Sequence, residues 1–467
     1  MAQPHVVILG GGPAGVGGAF YLTKAGRASV TVLEQQAVVG GNAGSFEIDG
    51  MRVDFGSHRL HHASDPAILA DLHSLLGEDL LDRPRRGRIR LRGKWVHFPL
   101  KPVDLVLRLD KGFAAGSLRD MVVGALTNGK DEGDTFASVL RANLGPTICD
   151  HFYFPYARKM WGLPPDRLSA IQARKRVSAG SFGKLLKRLI KAPGAGRFHY
   201  PRNGYGQITE ALADAAVGQG AVIQTRAKVT SLEQRTSGRG WTVTAECEGV
   251  HRSYEADYVW STLPAPVVAR MMRPEVPAEV QSAAASISYR AMVLAYLVLD
   301  VDQFTTTDAH YFPEENIAMT RLSEPKNYAA SSEPKGRTVL CAELPCQPED
   351  SLWTMTDDEV GRLVADDLAQ AGIPLARPPI RVVTRRLKHA YPIYRSGYEV
   401  PFATLDEWGE SLPDFLQYGR QALFAHDNTH HGLYMARAAT DCLTDAGFDR
   451  AKWQHYRDVF ATHVVED

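Results

Sequence analysis

The chain has 467 residues, 44% hydrophobic and 23% charged, and its 53 Lys and Arg are balanced by 53 Asp and Glu. That length exceeds one ordinary core and predicts two interleaved domains, while the neutral balance excludes the basic footprint of a nucleic-acid binder. The five cysteines are scattered without a CxxC pair, which excludes a disulfide frame and a cysteine-based zinc site. No apolar run is long enough to cross a bilayer and no charged leader precedes the first one, so a cytoplasmic protein is expected.

Residues 6–9, Val-Val-Ile-Leu, form a short β-branched run suited to a buried parallel strand. Gly10, Gly12 and Gly15 follow in GxGxxG spacing around Pro13 and Ala14, residues 19–24 continue as a helix, and a second strand over 29–33 ends at Glu34. Strand, glycine turn, helix and acid in that order form a dinucleotide fingerprint. Its glycines admit backbone to a pyrophosphate at a helix N-terminus, where unpaired N–H groups favour an anion. Glu34, with Gln35 beside it, is expected to accept from the adenosine ribose hydroxyls. The fingerprint leaves NAD and FAD open.

Gly40 and Gly41 follow Glu34 by six and seven residues, Asn42 comes next, and Val53-Asp54-Phe55-Gly56-Ser57-His58 reads as a strand and a Gly-x-His turn. Through these motifs the sequence resembles the FAD-binding family that includes amine oxidases, protoporphyrinogen oxidase, carotenoid desaturases and UDP-galactopyranose mutase. In that family a Glu-x(5–6)-Gly-Gly motif wraps the cofactor, and Gly41-Asn42 is similar to its mutase branch. The resemblance implies FAD, contacted by Gly10, Gly12, Pro13, Ala14, Gly15, Glu34, Gln35, Gly41, Asn42, Ser57 and His58, with His58 against the isoalloxazine in a catalytic position. His61 and His62 are expected at the solvated start of a helix, and no metal site is expected.

Further along, residues 88–98 alternate about Gly93-Lys94 and predict a hairpin with its arginines on one face. Residues 104–126 and 136–144 have helical periodicity, separated by a break at Asn128-Gly129. Tyr156-Ala157-Arg158-Lys159-Met160-Trp161-Gly162 resembles the family's Y-x-x-K-x-W-G segment, which implies a substrate contact for Trp161; core packing at a helix end is the alternative. Arg176 matches an arginine of oxidoreductase-like relatives and is expected in the catalytic site. Residues 184–191, KLLKRLIK, are a basic amphipathic helix, expected as a lid hinged at 193–196, with peripheral membrane contact as the alternative.

A helix over 208–216 and strands over 222–229 and 241–245 are expected to return the chain to the cofactor domain, where the resemblance sets Val229 against adenine. Residues 258–264 read as a strand toward the cofactor, and 292–299 as an apolar strand. Tyr391 and Tyr394 are expected to line the substrate, ahead of a helical stretch over 405–416. Gly419, Arg420, Asn428 and Thr429 resemble the final FAD motif, which opens a helix through Cys442. The mutase branch has a tyrosine where this chain has His426 and an aspartate where it has His430. His426 is expected in the catalytic site.

The resemblance implies an α/β fold: a Rossmann-like FAD-binding domain (the GR2 type) from residues 1–80, 200–270 and 412–467. An interleaved α+β substrate domain with a helical lid is expected from 81–199 and 271–411. The expected function is an FAD-dependent oxidoreductase taking hydride from a small molecule to flavin N5. A sugar-nucleotide pyranose–furanose mutase is the alternative, and a cofactor-free prenyl-protein chaperone a third reading. The expected partner is a small molecule such as a nucleotide sugar or another secondary-metabolite intermediate.

Overall fold

The computed structural model describes residues 3–98, 108–109, 111–126, 133–176, 196–236 and 239–465. Its organising element is the strand His5–Leu9, at the centre of a five-stranded parallel sheet ordered Phe415–Gln417, Tyr258–Ser261, His5–Leu9, Ser29–Leu33, Val222–Gln224. Successive side chains point to opposite faces of a strand, so Val6 and Ile8 pack into a different core from Val7 and Leu9. The first core lies under the helices Pro13–Lys24, Gln207–Gly218 and Thr429–Cys442. The second lies against an antiparallel layer of Val250–Ala256, Trp241–Cys247 and Ala227–Gln234, to which Met272–Arg273 adds in parallel. Both faces are covered, which is why the four residues Val6 to Leu9 are all apolar.

A seven-stranded sheet, ordered Arg381–Pro392, Tyr289–Leu299, Thr338–Cys346, Arg321–Ser323, Ala309–Tyr311, Gly87–Leu91, Lys94–Phe98, forms the second layer system. The same alternation divides its long strand. Val293, Ala295 and Leu297 pack with Val360, Val364 and Leu368 of the helix Asp357–Gln370, whereas Met292, Leu294 and Tyr296 pack with Ile48, Met51 and Val53 of the hairpin Ser45–Ile48/Met51–Asp54. The second face thus lies directly beneath the turn that carries Gly56, Ser57 and His58.

Most expected elements form, including the hairpin Gly87–Leu91/Lys94–Phe98. On its arginine face Arg90 is already engaged, pairing with Glu314 and donating to Gln370 O at 3.0 Å. Three expectations are corrected. The stretch 222–229 is two strands in two sheets, because the chain turns at Arg226 (φ 54°). The stretch 405–416 ends as helix at Ser411 and becomes the edge strand Phe415–Gln417, captured by parallel pairing with Tyr258–Ser261. His61 and His62 precede the helix Pro66–Leu76 and are half-buried, with the His62 ring 4.1 Å from that of His199. The stretch 184–191 and the break at 128–129 lie outside the described residues. Among those described, no helix is long and apolar enough to cross a membrane.

Candidate functional site

The glycine turn leaves His5–Leu9 and runs into the helix Pro13–Lys24, with Pro13 at its first turn. A Cβ on Gly15 would lie 1.9 Å from Gly10 O, so this close approach of helix to strand requires glycine. Gly12 is the opposite case, since a Cβ there would meet nothing within 4 Å. It faces open space at a helix N-terminus, the setting that receives a pyrophosphate. Ala14 is buried behind it.

Glu34 closes the second strand and is 6% exposed. Its two oxygens accept from Gly11 N–H and Gln36 N–H, each at 2.7 Å. Burial raises its pKa, while the N–H groups of Gln36, Gly11 and Gln35 act the other way. Gln35 is itself exposed. Ala227 N–H donates to Glu34 O at 2.8 Å, which sets the strand carrying buried Val229 beside the acid. Gly40 N–H donates to Gly11 O at 2.8 Å, and a Cβ on Gly41 would stand 3.3 Å from Gly12 Cα. The second glycine motif is therefore pressed onto the first. An open recess at Gly12, a carboxylate at the strand end and glycine backbone on the remaining side fit an adenine dinucleotide.

The C-terminal motif meets the same helix end. Tyr418 OH donates to Ala14 O at 3.2 Å, and a Cβ on Gly419 would come within 2.8 Å of the Ala14 side chain. Arg420 reaches back across the Tyr391 ring, 5.0 Å from its centroid, and donates to Ala390 O at 3.1 Å. Asn42 and Gln421 both donate to His389 O, at 3.1 and 2.8 Å. The second glycine motif and the C-terminal motif, far apart in the chain, are thereby held on the strand Arg381–Pro392. Asn428 and Thr429, both half-buried, open the helix Thr429–Cys442.

The turn at Gly56, Ser57 and His58 is fixed from below. Asp54, 4% exposed, accepts from Ser45 Oγ at 2.6 Å, Tyr200 OH at 2.5 Å and Tyr205 N–H at 2.9 Å. Ser57 N–H donates to Glu343 at 2.8 Å, and Arg321 donates to both Glu343 oxygens from Nε and Nη2, each at 2.8 Å. Against the burial that opposes it, the Glu343 carboxylate holds Arg321 above the ordinary guanidinium value. A ring nitrogen of His58 lies 3.0 Å from Phe55 O, and the ring stacks on Tyr205 at 5.3 Å. Burial lowers His58 from its ordinary value. Tyr205 OH in turn donates to Arg59 O at 3.3 Å, which ties the ring to the residue after His58.

Trp161, Tyr391, Tyr394 and His426 pack against one another in one closed aromatic box, in which Trp161, Tyr394 and His426 are buried and Tyr391 is half-buried. The His426 ring lies 4.9 Å from Trp161, 4.7 Å from Tyr394 and 6.4 Å from Tyr391. Trp161 ends the helix Phe154–Trp161, where Gly162 (φ 67°) terminates it. Arg176 ends the helix Ala170–Arg176, whose Lys175 O accepts from Val465 N–H at 3.0 Å in the C-terminal segment; its side chain lies outside what the structure describes. Sequence reasoning missed Glu343 and Arg321. The available signal was one acid inside the apolar strand Thr338–Cys346, because a buried carboxylate needs a partner.

A family model described as flavin containing amine oxidoreductase matches residues 13–447. A phytoene dehydrogenase from Streptomyces griseus is 42% identical over 79 residues, which span 17% of this chain and 15% of that relative. Among solved structures, a reduced UDP-galactopyranose mutase has a TM-score of 0.81 at 20% identity, over 99% of this chain and 100% of that one. A wild-type putrescine oxidase bound to putrescine has a TM-score of 0.66 at 18% identity, over 94% and 98%. At such identities the structural likeness is one of fold, and fold by itself does not name a reaction.

Proposed function

This chain belongs to the family of flavin-containing amine oxidoreductases, with FAD as its cofactor, and from that premise we propose that it oxidises a small molecule held against the box of Trp161, Tyr391, Tyr394 and His426. The observation that carries this reading is the convergence of those four side chains next to Arg420, which joins the box to the glycine-lined cofactor recess. FAD, when bound, supplies a two-electron acceptor for the hydride that leaves the substrate.

The chain's own contribution is position and exclusion of water. Glu34 receives the ribose hydroxyls, and the N–H groups around Gly12 receive the pyrophosphate. Ser57 and His58 border the ring system on a turn that the Glu343–Arg321 pair keeps rigid. Of the aromatic box, half-buried Tyr391 is the member open to a substrate, and the buried rings behind it fix its position, so it orients an apolar or planar molecule by shape and dispersion. In this reading the parallel sheet and its helices hold the cofactor, and the seven-stranded sheet with the helices over 136–176 forms the substrate wall.

A second reading, the sugar-nucleotide mutase, is favoured by the full-length likeness in fold to the reduced UDP-galactopyranose mutase. Mixing the oxidised holoprotein anaerobically with amines, isoprenoids and nucleotide sugars separates the two. The proposal expects the flavin's visible band to bleach with one class of donor. Persistent colour, with turnover of a nucleotide sugar only after chemical reduction, refutes it in favour of the mutase.

A further inference from the structure

We propose that Arg59 and Arg85, meeting at the Tyr311 hydroxyl, anchor an anionic group of the substrate, a carboxylate or a phosphate. The inference rests on the reading that a small molecule is oxidised beside the turn of Ser57 and His58. Arg59 follows His58 directly, Arg85 follows the strand Leu80–Pro84, and Tyr311 ends the strand Ala309–Tyr311. All three are half-buried and therefore partly open to a ligand. Arg59 Nη1 donates to Tyr311 OH at 3.2 Å, and Arg85 Nη2 donates to the same oxygen at 3.4 Å. Two guanidinium groups on one neutral oxygen repel each other, and an anion bound between them removes that repulsion.

Arg59 bonds to no acid. Its Nε and Nη2 have no hydrogen-bond partner among the described residues. Those nitrogens form an edge that grips a carboxylate: Arg321 uses the same edge on Glu343, with both bonds at 2.8 Å. The rings of Tyr328 and Phe198 lie 4.8 and 5.2 Å from Arg59 Cζ and attract its charge. Ring faces accept no ordinary hydrogen bond, so they leave the edge unused. With no ion pair to break, that edge turns to a ligand at the loss of one bond, the one to Tyr311.

The neighbouring acids are committed elsewhere. Glu343 is held by Arg321 and by Ser57 N–H. Asp308 accepts Arg86 N–H at 2.7 Å and faces Arg59, Arg83 and Arg86 together, one carboxylate among three cations. Arg83 directs its own N–H groups to carbonyl oxygens, Tyr328 O at 3.1 Å and Asn327 O at 3.3 Å. A guanidinium keeps its charge at any working pH, so the surroundings of Arg59 are net positive and repel a cationic amine. Arg321 Cζ lies 6.0 Å from the Tyr311 ring, which connects this anchor to the pair beneath the His58 turn. Phe98, 5.0 Å from the Tyr311 ring and 4.3 Å from Arg85 Cζ, offers an apolar surface to the rest of the molecule.

The test is calorimetric titration of the FAD-loaded protein with benzoate, phenyl phosphate, benzyl alcohol and benzylamine, probes that share one ring. The better of the two acids should bind about 10-fold or more tightly than the alcohol and the amine, and its identity names the group. Arg59→Gln should weaken that acid about 10–150-fold, the loss of one charge-assisted hydrogen bond, and leave the alcohol unchanged. Arg85→Gln should act in the same direction, and Arg27→Gln, a change at an exposed residue, should alter nothing. Absence of a preference for either acid in the wild-type protein overturns the proposal, whether or not the variants fold. Equal loss of acid and alcohol binding in Arg59→Gln overturns it too, since that is the mark of disturbed packing. Anaerobic bleaching reports separately on oxidation. Preference for an acid without bleaching by any donor removes the oxidoreductase reading and leaves the anchor; bleaching without that preference does the reverse.

Discussion

Replacing Gly12 separates the cofactor from the fold. Gly12 has φ −73° and ψ −179°, extended backbone that any residue adopts, and a Cβ there would touch nothing within 4 Å. Gly12→Ala should therefore leave the cofactor-free protein's contacts intact. By restricting the unfolded chain, it should stabilise that protein by about 0.4–1 kcal/mol. The methyl group occupies the space in which a pyrophosphate approaches the helix amides. Losing one charge-assisted hydrogen bond there, about 1.5–3 kcal/mol, should weaken FAD binding roughly 10–150-fold. Gly15→Ala is the contrasting change. Its Cβ would sit 1.9 Å from a backbone oxygen, an overpacking that should cost about 3 kcal/mol or more of stability with or without flavin. Thermal unfolding of the cofactor-free forms measures the first quantity, and titration of flavin fluorescence measures the second. A Gly12→Ala protein that binds FAD like wild type, or that is destabilised when empty, would refute the reasoning.

The Glu343–Arg321 pair should behave as a buried ion pair. Glu343→Ala strands the guanidinium and the Ser57 N–H, and should cost about 3–5 kcal/mol in urea unfolding. Glu343→Leu combined with Arg321→Met should recover most of that, and a double variant as unstable as the single one would sink the argument. Stability should also depend on pH through His430 and His431, both pushed down to about 3 by burial from an unfolded value near ~6.5. Between those values the unfolded chain binds more protons than the folded one. Stability therefore rises with pH across the window and is lost as pH falls below ~6.5, at up to about 1 kcal/mol per pH unit for each ring. His430→Asn should flatten that loss between pH 6.5 and 4; an unchanged slope counts against it.

Much of the nucleotide end was legible because its constraints are local. The turn at Gly10–Gly15 and the acid at Glu34 belong to one contiguous strand–helix–strand unit, and close backbone approach admits little but glycine there. Trp161, Tyr391, Tyr394 and His426 were legible only through resemblance to a family. No spacing in the chain says that they meet, and the tertiary fold draws them around one point. Arg176 ends the helix Ala170–Arg176, and its side-chain contacts lie outside the described residues.

By itself, then, the sequence determined the alternation that sorts Val6 and Ile8 from Val7 and Leu9, the glycine loop, and the acid that ends the second strand. Each is a demand made by a few neighbouring residues. The tertiary structure decided the rest. The chain over 405–416 gave up helix for a strand because Tyr258–Ser261 offered a parallel partner, and 222–229 split because two sheets compete for it. Arg321 stands directly opposite Glu343 across two antiparallel strands, and that pair receives Ser57 from 286 residues away. Asp427 and His463 meet in the same way, brought together by helix packing. Such pairings depend on register and on which surfaces are buried against each other, and those are properties of the whole fold that no short stretch of sequence carries.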